Sequence, residues 1–132
     1  MIKYPTVEGI IEINKKVLEE IKVRKADRSK LFPSGKEILE SIITKMKTKK
    51  GDVYGKAVIL LKELIRKHPF ESGNRRTAFV SVTAFLKINS KKINITHNEN
   101  ILQGIRERYY NDIEIKKWLR GGKIREFKRS IY

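Results

Sequence analysis

Apolar residues recur along this chain at intervals of three and four, in runs separated by short polar or glycine- and proline-marked breaks. That period belongs to helices with one buried face, and it leaves little room for a sheet. Thr6 is placed to cap a first helix with Ile10, Ile13, Val17, Leu18 and Ile21 on its apolar face. Ser34 and Glu37 have the spacing of a capping box ahead of Ile38, Leu39, Ile42, Ile43 and Met46. A third run, about Asp52 to Arg66, carries Tyr54, Val58, Leu61, Leu64 and Ile65. A fourth, from near Asn74 to about Asn89, is apolar almost all round at its centre and is predicted to lie in the middle of the fold. Ile101, Leu102 and Ile105 mark a fifth helix. Ile113, Ile115, Trp118 and Leu119 mark a sixth, stopped at Gly121-Gly122. The expectation is an all-α compact bundle of about six helices over residues 1–122, followed by a frayed basic C-terminal tail, 123–132.

The 132 residues suit one domain. With no cysteine, disulfides and thiolate metal sites are excluded. No run approaches the roughly 20 apolar residues of a bilayer span, and Met1 to Pro5 lacks a signal-type apolar core. The expected location is therefore cytoplasmic, with no membrane partner. Lys and Arg number 31 against 15 Asp and Glu, a formal charge of +16. Such a field attracts polyanions without choosing among nucleotide, nucleic acid and acidic protein. Nucleic acid has no motif to support it here.

The segment His68-Pro69-Phe70-Glu71-Ser72-Gly73-Asn74-Arg75-Arg76 concentrates the chemistry. A helix starting after Gly73 offers unpaired backbone N–H groups and the positive end of its dipole. Arg75 and Arg76 oppose that dipole, which makes sense if a bound phosphate compensates them. His68, with an ordinary pKa near 6.5, can take a proton beside this cradle. By the same residue-level reasoning, His97, the Lys47, Lys49 and Lys50 cluster and the Lys91-Lys92 pair are solvated, and Trp118 is core.

The pattern His68-Pro69-Phe70-x-x-Gly73-Asn74-x-Arg76 resembles the signature of the Fic/Doc family, His-x-Phe-x-(Asp/Glu)-(Gly/Ala)-Asn-(Gly/Lys)-Arg. The resemblance implies a Fic-type helical bundle over about residues 5–120. It implies His68 as the general base, Asn74 and Arg76 orienting nucleotide phosphates, and the backbone around Gly73 as anion cradle. ATP would be the substrate donor. Residues 22–33 would be a short flap loop or hairpin after the first helix, holding a target segment in extended form. Arg75 stands where AMP-transferring members usually have glycine and Doc-type members lysine. Phe79 replaces a second arginine. Both details resemble the Doc-like branch: a toxin-type transferase moving a phosphoryl group, in preference to AMP, onto a Ser or Thr of a protein such as a translation factor. The family's Mg²⁺-binding acid corresponds to Ser72, which brings no charge, and Glu71 stands one residue earlier. That departure keeps open a catalytically degenerate nucleotide- or protein-binding module, beside a basic nucleic-acid-binding protein. No inhibitory (Ser/Thr)-x-x-x-Glu-(Gly/Asn) helix is present, so a separate, acidic antitoxin chain is the expected inhibitor.

Overall fold

The computed structural model describes residues 1–21 and 29–129. Six helices follow in order: α1 Val7–Ile21, α2 Gly35–Thr48, α3 Val53–Lys67, α4 Asn74–Ile88, α5 Glu99–Arg106 and α6 Asp112–Leu119. Among the described residues there is no strand, only one isolated antiparallel bridge between Leu31 and Phe70. The all-α bundle is as the periodicity predicts. No helix among the described residues is long and apolar enough to cross a membrane.

α3 and α4 form the central pair, with α1 against α4, α2 against α3, and α5 and α6 on the far side of α3. Their buried faces meet in one core that includes Leu39, Ile42, Leu61, Leu64, Val82, Phe85, Leu102 and Trp118. α4 is less enclosed than its composition predicts. Thr77, Ala78, Ser81, Val82, Phe85 and Leu86 are buried, whereas Ile88 is exposed. Ile113 is also exposed, at 80 %, so α6 buries Ile115, Trp118 and Leu119 instead.

Local chemistry sets most helix starts. Thr6 Oγ1 accepts from Gly9 N at 3.0 Å, Asp52 Oδ1 from Gly55 N at 2.9 Å, and Asn98 Oδ1 from Ile101 N at 3.2 Å. Asn111 and Glu114 form a complete capping box on α6. The box expected at Ser34 and Glu37 does not form: Ser34 makes no side-chain cap bond. Tertiary contact governs that end instead. Gly35 is buried, and a Cβ there would meet the Pro69 carbonyl at 2.6 Å. The start of α2 therefore lies directly against the loop between α3 and α4.

Residues 123–129 do not fray as expected. Asn100 and Phe127 exchange two hydrogen bonds of 3.0 Å, and Tyr110 Oη donates to the Arg125 carbonyl at 2.8 Å. Arg125 stacks 4.0 Å over the Tyr109 ring and pairs with Glu114 at 2.7 Å. Ile124 and Phe127 pack on the core. The signal in the sequence was weak, because two apolar residues among many cations carry no clear period.

Candidate functional site at the start of α4

α3 ends at His68, whose backbone is left-handed (φ 53°, ψ 61°). A left-handed residue after a helix turns the chain sharply, and here it starts the loop to α4. Pro69 and Phe70 are buried, Phe70 completely. Phe70 therefore anchors the loop in the core. Gly73, at φ 77°, is the N-cap of α4 and supplies no side-chain cap. The first-turn N–H groups of α4 thus have no capping side chain, as an anion-binding helix start requires. A Cβ at Gly73 would lie 3.2 Å from Leu18 and 3.4 Å from the Asn14 amide nitrogen.

A cleft of about 550 Å³ opens over this helix end. His68, Glu71, Ser72, Gly73, Asn74, Arg75 and Arg76 all line it, so these motif residues share one cleft. The His68 ring lies 5.9 Å from the Phe32 ring, centroid to centroid. Burial lowers its pKa below the ordinary 6.5, and the nearby cations Arg106 and Arg75 push in the same direction. This environment disfavours the imidazolium and favours the neutral ring, which has a lone pair to accept a proton.

The motif residues differ in what they leave free. The Asn74 side chain is buried and fully engaged by Phe70: its Oδ1 accepts from Phe70 N at 3.0 Å and its Nδ2 donates to Phe70 O at 2.7 Å. With its side chain held by Phe70, Asn74 has its backbone N–H at the helix start to offer an anion. Arg75 is held from α5, donating to Gln103 Oε1 at 2.6 Å and lying 3.3 Å from Glu99. Arg76 has no ion-pair or hydrogen-bond partner among the described residues.

Three further lining residues come from the far wall: His97, Glu99 and Arg106. His97 is not the solvated residue expected. It meets Phe79 edge-on at 5.5 Å. Its Nε2 lies 3.0 Å from Glu99 Oε1, yet makes no well-aligned hydrogen bond. Only the tertiary position of α5 reveals this wall, since nothing in the local sequence relates 97–106 to 68–76. Asn14 also escaped the sequence reading, because its polar side chain interrupts the apolar face of α1.

The expected flap, 22–33, divides. Residues 22–28 lie outside the described residues. The part that follows runs antiparallel to the motif loop, with Phe32 N donating to Pro69 O at 3.0 Å and Glu71 N to Lys30 O at 2.9 Å.

A divalent cation beside nucleotide phosphates needs hard oxygen ligands, ordinarily with a carboxylate among them. Ser72 offers a neutral hydroxyl. Glu71 is exposed and lies 3.8 Å from Lys30. Glu99 is shared by Arg75 and His97. Among the described residues no group of three or more His, Asp or Glu side chains could hold a metal ion. The donor set does not fit a resident Mg²⁺.

Residues 4–86, more than half of the chain and spanning α1 to α4, match the model of the Fic/DOC family. The chain belongs to the Fic/DOC family, whose members are transferases of the AMP- or phosphate-moving type. No curated protein matches it. The α5 wall of the cleft lies beyond the matched residues.

Proposed function

We propose that this protein transfers the terminal phosphoryl group of ATP to a Ser or Thr hydroxyl of a target protein, in the manner of the Doc-like branch. One observation carries the reading. The His68 imidazole shares a cleft with an uncapped helix start and with Arg75, Arg76 and Arg106. In the proposed step the target oxygen attacks the γ-phosphorus while His68 takes the hydroxyl proton. The bond from the γ-phosphorus to the bridging oxygen breaks, and ADP leaves with that electron pair. Positioning and charge neutralisation supply most of the acceleration in such a transfer. The first-turn N–H groups of α4 and the Arg76 guanidinium are the donors for the phosphate oxygens. Arg75, a cation next to Asn74, favours phosphoryl over AMP transfer. A toxin-type role in the cytoplasm, directed at a translation protein and opposed by an acidic antitoxin chain, extends the same reading through the +16 charge.

A second reading is favoured by the weak metal donor set: a domain that binds nucleotide without turnover. Incubation with ATP labelled at the γ- or the α-phosphate, Mg²⁺ and candidate translation proteins separates the possibilities. γ-Label on the target, lost in His68→Ala, is the expected result. α-Label on the target would assign AMP transfer instead. ATP binding with neither label transferred would leave the binding module.

A further inference from the structure

Asn14 is wholly buried on the inner face of α1, beside Ile10, Val17 and Leu18. A buried carboxamide is costly unless its donors and acceptor are satisfied, and here they are. Nδ2 donates to the Ser72 carbonyl at 2.9 Å and to Thr77 Oγ1 at 3.0 Å. Oδ1 accepts from Ser29 Oγ at 2.7 Å.

Those three partners belong to three different parts of the site. Ser72 is the last residue before Gly73. Thr77 is fully buried in the first turns of α4, and its N–H bonds back to the Gly73 carbonyl at 2.9 Å. Ser29 begins the segment that pairs with the motif loop through Phe32 N to Pro69 O and Glu71 N to Lys30 O. The contacts close a ring: Asn14 to Ser29, along 29–32, across to 69–71, on to Ser72, and back to Asn14. Leucine at this position would suit the apolar face of α1 better, yet would break the ring at both Asn14 contacts and lose the bond to Thr77 as well.

We propose that Asn14 is a positioning residue that couples the Ser29–Phe32 segment to the anion-binding start of α4, so that ordering one end favours the other. The coupling to ATP rests on the function proposed above. The coupling between the two segments does not. Since linkage is reciprocal, a target strand laid on 29–32 tightens nucleotide, and nucleotide tightens the target.

Hydrogen exchange and ATP titration on the full chain test this with Asn14→Leu and Ser29→Ala. The expected result is faster exchange at the Phe32, Glu71 and Thr77 amides together, with α6 amides unchanged. ATP binding is expected to weaken about tenfold for Asn14→Leu, within the usual range of coupling. Unchanged exchange at Thr77, or acceleration spread evenly over all helices, would overturn the proposal. Should Asn14→Leu fail to fold, Ser29→Ala decides: it removes one bond on the surface side, and acceleration confined to Phe32 would overturn the coupling. If the unmodified protein binds no ATP, the proposed function fails while the exchange pattern still decides the role of Asn14.

Discussion

Phe70 and Asn74 exchange two hydrogen bonds, main-chain N–H to side-chain oxygen and side-chain NH₂ to main-chain carbonyl. The pair locks four residues of loop into one shape and lets Phe70 enter the core. The spacing between His68 and the α4 helix start is thereby fixed by the motif itself. An asparagine fits this position because it alone among small side chains offers both an acceptor and a donor in one plane.

Replacing His68 with Ala is expected to reduce transfer by about 10²–10⁴-fold, the usual contribution of a positioned base. The acid limb of the rate profile should have its midpoint below 6.5, because burial first, and Arg106 next, disfavours the imidazolium. The sign for stability is the same. The unfolded chain takes the proton first, so the fold loses stability as the pH falls through 6.5 and below. A pH series of initial rates, alongside urea melts, checks both. A midpoint above 6.5 would contradict this environment for His68.

The two arginines should not be equivalent. Arg75 is already held by Gln103 and Glu99, whereas Arg76 shows no such partner among the described residues. Arg76→Ala is expected to weaken ATP binding by more than tenfold, since a charge-assisted bond to phosphate is worth about 1.5–3 kcal/mol. Arg75→Ala should cost less, and Glu99→Gln should tighten binding a few-fold by removing a carboxylate from the cleft. Calorimetric titration of the three variants decides this; equal losses for both arginines would count against the assignment.

How much of this was legible in advance follows from which forces act locally. Helical periodicity exposed all six helices of the described residues, and the cap at Thr6 is readable because it involves neighbours in the chain. The motif loop was readable for the same reason, as nine consecutive residues carry it. Ser34 misled, because the Pro69 carbonyl and Leu31 crowd the start of α2 more strongly than a cap directs it. His97, Glu99 and Asn14 were hidden because their roles depend on partners up to 63 residues away, as Asn14 and Thr77 are.

Ser72→Asp is expected to raise the transfer rate above that of the natural serine and to make it respond more steeply to Mg²⁺, because it restores a hard, charged oxygen donor beside the phosphate cradle. The rate is measured against Mg²⁺ concentration for both forms. A variant that stays folded and binds ATP, yet gains nothing with Mg²⁺, would place the metal deficit elsewhere.

Asp52 anchors the other end of the bundle. Partial burial pushes its carboxyl upward, but the Gly55 N–H, Lys116 and Arg120 outweigh this and hold it at about 2. Its contribution is therefore present above its ordinary value of 3.8 and fades as the pH falls toward about 2. Asp52→Ala should destabilise the fold by about 1 kcal/mol, the worth of a helix cap, with little added from its solvent-facing ion pairs. Urea unfolding at pH 7 and pH 3 checks the size and the sign.

The closing residues hold α5 by the Asn100–Phe127 exchange and the Arg129–Glu107 pair. α5 in turn carries Glu99 and Arg106, opposite His68. Trimming the chain after Gly122, or fusing a bulky tag that pulls Phe127 from its seat, would thus act on ligand affinity from a distance. Residues 123–129 serve as a buttress for one side of the cleft, and a partner protein that grips them would have a mechanical handle on the chemistry.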